Sequence, residues 1–209
     1  MSKITLLYGT GNPAKLSAMR HSLDGTGIEI LGLSEMSSAP PVVDESGKSP
    51  LENARIKALT YFRHYNVPVF SCDSGLFFEG LPEELQPGTH VRSVCGKRLS
   101  DAEMTEYYSG LARKYGRLTA QYLNAVCLVL SEKEIHEHMG ADISGNRFYI
   151  VDKPHPKSVE GFPLDRISIH IPTGKYYYDL PEGGFTSAER SYNNGWRDFF
   201  TKALNIKEI

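Results

Sequence analysis

The sequence predicts a mixed α/β fold, with helices concentrated early in the chain and short strands concentrated late. Three observations indicate this. An apolar strand at residues 4–8 leads through a glycine-rich turn into a helix. A second helix is predicted at about Pro50–Tyr65, where Ser49 and Glu52 have the spacing of a capping box. From about residue 118 onward, short alternating segments between turn signals predict a hairpin-rich extension rather than a uniform doubly wound sheet.

The first half of the chain alternates strands and helices. Asn12 is a good N-cap for the first helix, and Pro13 suits its first position. Residues 28–33 predict a second strand, and the apolar run Val67–Phe70 predicts the end of a third, buried strand. Asp73 follows this run in an Asp-Ser-Gly sequence, which predicts a turn.

The second half is richer in strands. A capping box at Ser100 and Glu103 predicts a helix that ends at Gly116. The segment Leu118–Leu130 contains the longest continuous apolar strand, which predicts a central position in the sheet. Four further short strands are predicted, at residues 134–139, 146–151, 167–171 and 176–178. An amphipathic helix around Trp196 follows them.

Composition and charge exclude several classes of protein. The chain has 209 residues, which predicts one large domain or two lobes around one sheet. Its formal net charge of -2 gives no reason to expect a nucleic-acid partner. The three cysteines are too few and too scattered for a disulfide framework or a zinc motif. With neither a signal peptide nor a long apolar run, we expect a cytoplasmic protein without a membrane partner.

The glycine-rich turn at residues 9–15 is a candidate phosphate site. Free backbone N–H groups at a helix start bind phosphate, and Lys15 adds a full positive charge in the first turn. The turn matches neither of the standard glycine-rich nucleotide fingerprints. A plain strand-to-helix turn therefore stays open as the alternative interpretation.

Carboxylates are predicted at the ends of two other elements. Asp44 and Glu45 precede the second helix, where they also suit its dipole. Asp73 follows a buried strand, which is where open α/β folds place their chemistry, although it also suits a turn. Asn53 and Lys57 are four residues apart and share one helix face. Carboxylates near lysines suit a polyphosphate bound with Mg²⁺, because this ion takes one or two carboxylates plus phosphate oxygens.

Four motifs in this order resemble those of the inosine triphosphate pyrophosphatase family, whose members hydrolyse deaminated purine nucleoside triphosphates. Residues 10–15 match T-G-N-x-x-K. The second motif is an acidic E-x-x-G segment followed by the helix E-N-A-x-x-K-A. Residues 44–47 resemble the first part of it, and residues 52–58 match the second. The motif D-D-S-G-L appears as C-D-S-G-L at residues 72–76, and G-F-G-Y-D-P appears in part at residues 161–166. The order and spacing hold over nearly the whole chain.

The resemblance implies both an architecture and a reaction. The architecture is a two-lobed α/β fold with a mixed sheet and a central cleft, in a homodimer. Residues 1–209 would form a single domain, with the hairpin region at about 118–180 forming much of the second lobe. The implied reaction converts a nucleoside triphosphate and water to a nucleoside monophosphate and pyrophosphate, with Mg²⁺ as cofactor.

The resemblance also implies roles for individual residues. Asn12, Lys15 and Lys57 would contact the phosphates. Asp44 or Glu45, together with Asp73, would hold Mg²⁺, and Asp73 would act as general base on the water that attacks the α-phosphorus. The other residues implied to contact the substrate are Thr10, Gly11, Asn53, Ser74, Phe162, Asp165 and Arg190.

The sequence departs from the family pattern mainly in the half that contacts the base. Cys72 replaces the first acid of D-D-S-G-L, and Asp44 is one methylene shorter than the usual glutamate. Leu164 stands at an aromatic position, and the family's S-H-R segment has no clear counterpart, although Arg190 and Arg197 are nearby. We therefore predict a divergent house-cleaning enzyme for inosine- or xanthosine-like triphosphates. A pyrophosphatase for another modified or pyrimidine nucleotide and a catalytically weak nucleotide sensor are the alternatives.

Overall fold

The computed structural model describes residues 3–181 and 187–206, without the side chains of residue 14 and of residues 187–193. The chain forms two compact units. The described residues of Met1–Ser74, Leu123–Ser144 and Ser187–Ile209 form unit 1, and those of Gly75–Tyr122 and Gly145–Thr186 form unit 2. None of the helices in these described ranges has the length and hydropathy needed to cross a lipid bilayer.

The described part of the chain contains four α-helices and ten strands. The helices are α1 (Pro13–Ser22), α2 (Pro50–Tyr65), α3 (Asp101–Tyr115) and α4 (Ser187–Ala203). The strands are β1 (Ile4–Tyr8), β2 (Ile28–Gly32), β3 (Val69–Phe78), β4 (Ser93–Val94), β5 (Lys97–Arg98), β6 (Leu118–Ser131), β7 (Glu134–Met139), β8 (Phe148–Ile150), β9 (Ser168–His170) and β10 (Lys175–Tyr176).

Unit 1 contains the parallel strands of the fold. Strand β1 pairs in parallel with β2 along its whole length, and also with β3 through Leu7↔Val69 and Tyr8↔Phe70. The second half of β6 pairs antiparallel with β7. The apolar side chains of these strands pack with α1 and α4 into a core that includes Leu6, Phe70, Leu128, Trp196 and Phe200. Such burial of apolar surface is the main stabilising contribution to this unit.

Unit 2 is antiparallel. The first residues of β6 pair with β8, β8 pairs with β9, and β9 pairs with β10. Helix α3 begins with the predicted capping box, in which Ser100 Oγ accepts from Glu103 N and Glu103 Oε2 accepts from Ser100 N. The apolar face of α3 contributes Met104 and Tyr108 to a core that also contains Ile150.

The structure confirms the predicted α/β class with mixed parallel and antiparallel pairing, but it corrects the predicted turn at Asp73. Strand β3 continues through Asp73, Ser74 and Gly75 to Phe78. At Gly75 two chain segments come close together. A Cβ on this residue would lie 3.0 Å from the carbonyl carbon of Gly88, so glycine allows the approach. Leu76 N donates to Gly88 O at 2.9 Å directly beside it. Asp73 is therefore a strand residue.

The predicted strand at residues 176–178 is also wrong in part. Strand β10 ends at Tyr176, and residues Tyr177–Asp179 form a 3₁₀ turn. The ring of Tyr177 packs against two other rings. Its centroid lies 5.7 Å from the ring centroid of His170 and 6.3 Å from that of Phe148. These contacts place Tyr177 in the unit 2 core region, which alternation along a strand does not predict.

Candidate active site

Helix α2 positions the central polar residues of unit 1. Ser49 Oγ accepts from Glu52 N at 3.2 Å, as the predicted cap requires, whereas the Glu52 carboxylate reaches back to Lys48 N at 2.7 Å. Asn53 and Lys57 lie one turn apart on the same face, as predicted. Asn53 is only 2% exposed, so its amide requires internal hydrogen-bond partners.

Asp73 supplies the first of these partners. Its Oδ2 accepts from Asn53 Nδ2 at 3.1 Å, and its Oδ1 accepts from Lys57 Nζ at 2.7 Å. Asp73 itself is 9% exposed. It lies three residues beyond Phe70, where the parallel pairing of β3 with β1 ends, so the carboxylate stands at the carboxyl end of that parallel pair.

The acidic segment before α2 completes the arrangement. Lys57 Nζ also donates to Glu45 Oε2 at 3.0 Å, and Asn53 Oδ1 accepts from Gly47 N at 2.8 Å. A Cβ at Gly47 would lie 2.6 Å from Asn53 Oδ1 and 2.9 Å from its backbone nitrogen, so this position requires glycine. We call Glu45, Asn53, Lys57 and Asp73 the acid–lysine cluster.

The electrostatics of the acid–lysine cluster favour a charged lysine. Burial by itself would lower the pKa of Lys57, but its hydrogen bonds to Asp73 and Glu45 outweigh burial and raise that pKa above its ordinary value of 10.5. Two carboxylates thus converge on one positive charge. The same donor set fits a divalent cation that completes its coordination with phosphate oxygens. Asp44, the other predicted ligand, is exposed, as is Glu45, whereas Asp73 is buried.

No group of three or more histidine, cysteine, aspartate or glutamate side chains suited to a metal ion occurs among residues 3–181 and 187–206. A closed, all-protein metal cage is therefore not present in that part of the chain. Magnesium sites commonly keep water and use substrate phosphates as ligands, so two carboxylates suffice for such a site.

The glycine-rich turn has the predicted cap geometry. Asn12 Oδ1 accepts from Lys15 N at 3.3 Å, and Thr10 Oγ1 accepts from Asn12 N at 3.2 Å. At the base of the turn, a Cβ on Gly9 would lie 2.2 Å from Ser71 Oγ, so the turn packs closely against β3. Gly11, Asn12 and Lys15 are exposed. An anion in solvent can therefore reach these three residues.

Lys15, Cys72 and Ser74 line one cavity of about 120 Å³ in unit 1. Ser74 Oγ donates to Asn124 Oδ1 at 2.7 Å, and Asn124 Nδ2 donates to Ile143 O at 2.7 Å. We did not predict Asn124 from the sequence. In the sequence, Asn124 is marked only by its position as a polar residue directly before the longest apolar run. Buried polar residues of this kind hold neighbouring side chains in place through hydrogen bonds.

Cys72 stands beside Asp73 but has the properties of an inert thiol. Burial raises its pKa to about 12, and this effect exceeds the opposing influences of Tyr8, Lys15 and Lys57. The thiolate is the nucleophilic form of cysteine, and almost none is present at neutral pH. Cys72 is only half-buried, but its raised pKa gives no support for a nucleophilic role.

Asp165 lies in a separate cavity within unit 2. This cavity of about 240 Å³ is lined by Tyr122, Phe148, Leu164, Asp165 and Tyr177, among others. Burial raises the pKa of Asp165 above its ordinary value. Phe162, the other predicted nucleotide contact in this unit, is 59% exposed. Aromatic walls and one carboxylate are chemically suited to a heteroaromatic ring with N–H donors.

Arg190 and Arg197 are the two basic residues near the missing S-H-R segment. The side chain of Arg190 lies outside the described residues. Arg197 Nη2 donates to Asp24 O at 2.6 Å within unit 1. The guanidinium of Arg197 therefore already has a partner in the turn that follows α1.

Replacing Asp165 with asparagine should stabilise the ligand-free protein more at neutral pH than near pH 4. The pKa of this carboxyl group is raised in the folded state, so the protein loses stability as pH rises from the unfolded-state pKa through the folded-state pKa. The reason is that ionisation places a negative charge in a buried site. Asparagine removes this cost. Thermal midpoints at several pH values measure the effect, and Asp152→Asn at an exposed position of unit 2 is the control. A pH-independent difference would contradict the prediction.

The fold and the acid–lysine cluster together indicate an α/β protein that is suited to bind an anionic ligand together with a cation. A family model matches residues 6–179, and the chain belongs to the Ham1 family. The resemblance predicted from the motifs is thereby confirmed.

Curated relatives extend over most of the chain. A dITP/XTP pyrophosphatase of Rhodopseudomonas palustris is 30% identical over 190 residues, which cover 88% of this chain and 83% of the relative. A dITP/XTP pyrophosphatase of Brucella melitensis is 27% identical over 214 residues, with 98% and 89% of the two chains covered.

Two solved structures share the fold. The Staphylococcus aureus Ham1 protein superposes with a TM-score of 0.70 at 22% identity, covering 95% of this chain and 98% of its own. A HAM1 protein from Coxiella burnetii gives a TM-score of 0.71 at 20% identity, covering 97% and 98%. At this identity the similarity establishes the architecture.

Proposed function

We propose that this protein is a nucleoside triphosphate pyrophosphatase that converts a non-standard purine nucleoside triphosphate to its monophosphate and pyrophosphate. One observation carries the proposal. In a chain of the Ham1 family, Asp73, Lys57 and Glu45 form a hydrogen-bonded set of two acids and one ammonium. Such a set supplies a base, a phosphate-binding cation and carboxylate ligands for a metal ion.

Asp73 is the proposed general base. The water oxygen forms a bond to the α-phosphorus, the bond from the α-phosphorus to the bridging oxygen breaks, and the proton of the water passes to a carboxylate oxygen of Asp73. Asn53 orients that carboxylate through Oδ2 and is itself held by Gly47 N. Such fixed orientation matters because general-base catalysis requires the base within hydrogen-bond reach of the proton it removes.

The proposed phosphate contacts are the turn at residues 10–15 and Lys57. The exposed Lys15 ammonium would neutralise negative phosphate charge at the N-terminus of α1, where the helix dipole also favours an anion. Lys57 lies beside Asp73, so it would bring a phosphate oxygen close to the base. Ser74, held by Asn124, lines the same cavity as Lys15.

Magnesium is the proposed cofactor. Glu45 and Asp73 fit it best, because their carboxylates already face one cation, while Asp44 stays an alternative ligand. When bound, the ion would supply charge neutralisation for the polyphosphate and polarisation of its oxygens.

Asp165 and the aromatic residues of its cavity are the proposed base contacts. Stacking of a base on an aromatic ring contributes about 1–3 kcal/mol and discriminates little between bases. Discrimination therefore depends on the carboxylate. Hypoxanthine and xanthine carry an N–H donor at position 1, which adenine lacks, so an acceptor in this cavity favours the deaminated rings over adenine.

Release of pyrophosphate from a panel of triphosphates tests the proposal. We expect Mg²⁺-dependent release from inosine or xanthosine triphosphate with kcat/KM at least about 100-fold above that for ATP, since a missing hydrogen bond to a buried partner can cost this much. Preference for a pyrimidine or another modified nucleotide would support the second candidate enzyme. Tight nucleotide binding without release would support a sensor and contradict the enzyme.

A homodimer and a cytoplasmic location complete the proposal. Both are supported by the resemblance to the pyrophosphatase family, and the location also suits an enzyme that acts on free nucleotides. Analytical ultracentrifugation at several protein concentrations measures the oligomeric state directly.

A further inference from the structure

Lys57 lies where a cation would bind between the two acids of the acid–lysine cluster. Its Nζ atom is 2.7 Å from Asp73 Oδ1 and 3.0 Å from Glu45 Oε2. The side chains of Lys57 and Asp73 are 11% and 12% exposed, so solvent screens this contact weakly. The ammonium thus neutralises part of the charge that would otherwise attract a divalent cation.

We propose that Lys57 is an internal counter-ion that keeps divalent cations away from Glu45 and Asp73 until a polyphosphate binds. This inference rests on the proposed function and adds a binding order to it. A divalent cation close to the ammonium is repelled by it. Phosphate oxygens offer the ammonium new partners, and its departure leaves both carboxylates to the metal ion. Metal and polyphosphate therefore bind together.

The surrounding contacts fix Asp73 and Asn53, whereas the ammonium of Lys57 is able to change partners. Asp73 lies on a β-strand, and its second oxygen is fixed by Asn53. Asn53 is fixed in turn by Gly47 N, in a place with no room for a Cβ on residue 47. Lysine carries its charge on a flexible four-carbon stem, so it changes partners without any movement of the backbone.

The charge balance indicates the same order of binding. With Lys57 in place, the two carboxylates and the ammonium sum to a charge of −1, as counted from the two ion pairs. A divalent ion added to this set would face only one uncompensated negative charge. Transfer of the Lys57 ammonium to a phosphate oxygen leaves two uncompensated negative charges for the ion. By linkage, the metal ion then strengthens polyphosphate binding as much as the polyphosphate strengthens metal binding.

Calorimetric titration of the nucleotide-free protein with MgCl₂ tests the inference. Lys57→Met should bind Mg²⁺ about tenfold or more tightly than the wild type, which lies within the usual range of coupling between two sites. Lys57→Arg keeps the positive charge and is the matched control, which should bind Mg²⁺ as weakly as the wild type. Equal or weaker binding by Lys57→Met would overturn the inference.

A second measurement uses the unaltered protein, in case Lys57→Met fails to fold. With ¹⁵N-labelled lysine, the Lys57 ammonium resonance should stay unchanged when Mg²⁺ is added alone, and it should shift when imidodiphosphate is added with Mg²⁺. A shift with Mg²⁺ alone would overturn the inference. Neither experiment uses turnover, so absence of pyrophosphate release would remove the proposed function while these results still decide the role of Lys57.

Discussion

Replacing Asp73 with asparagine should lower turnover of the preferred triphosphate by about 10²–10⁴-fold, the usual contribution of a general base. Asparagine is nearly the same shape, and its amide oxygen can still accept from Lys57, although its amide nitrogen cannot accept from Asn53. It cannot take a proton from water. The same substitution removes one proposed metal ligand, so Mg²⁺ titrations of turnover should show a weaker response to the ion.

The control for this substitution is Asp198→Asn, at an exposed position of α4 in the same unit. It should leave turnover and the thermal midpoint unchanged. Asp73→Asn should remain folded, because Lys57 keeps its ion pair with Glu45. Turnover within about tenfold of the wild type, in a folded Asp73→Asn protein, would show that another group removes the proton.

The sequence predicts the elements that depend on local signals. Helix α2 begins and ends at the predicted residues, because Ser49 and Pro50 start it and Asn66, in the left-handed conformation, ends it. Strand β7 likewise has its predicted bounds. In both cases the apolar periodicity and the flanking residues agree, so no tertiary contact is needed to choose between alternatives.

Tertiary contacts decide the features that the sequence misses. Asp-Ser-Gly usually marks a turn, but β3 lies between β1 and β6 in the sheet and continues through it. The contact between Glu45 and Lys57 depends on how the loop before α2 folds back over the helix, which spacing alone leaves open. For this reason the sequence suggests both Asp44 and Glu45 as acids, whereas the structure brings Glu45 to Lys57.

The proposed base contacts are the least predictable part of the candidate site. Asp165 follows Leu164 in a motif that matches its family only in part, so the sequence alone identifies no cavity there. The cavity arises from aromatic residues of three separate segments, represented by Tyr122, Phe148 and Tyr177. The antiparallel register of β6, β8 and β9 determines which of these segments meet.

Replacing Gly47 with alanine should lower kcat/KM by about 100-fold, although residue 47 is not proposed to touch the substrate. The added methyl group would lie 2.6 Å from Asn53 Oδ1 and 2.9 Å from Asn53 N, so the loop or the amide must move. Loss of the bond from Gly47 N would free Asn53, and with it the carboxylate of Asp73. Overpacking of this kind also costs about 1–3 kcal/mol of the free energy of unfolding.

Gly110→Ala separates this effect from a general effect of the added methyl group. A Cβ at Gly110 meets no atom within 4 Å, and the residue lies inside α3. Alanine there should stabilise the protein by about 0.5–1 kcal/mol and leave kcat/KM unchanged. In the proposed mechanism turnover depends on how Asp73 is held, so Gly47→Ala should reduce kcat/KM even at temperatures well below its thermal midpoint. Full activity of folded Gly47→Ala would show that the orientation of Asn53 does not limit the reaction.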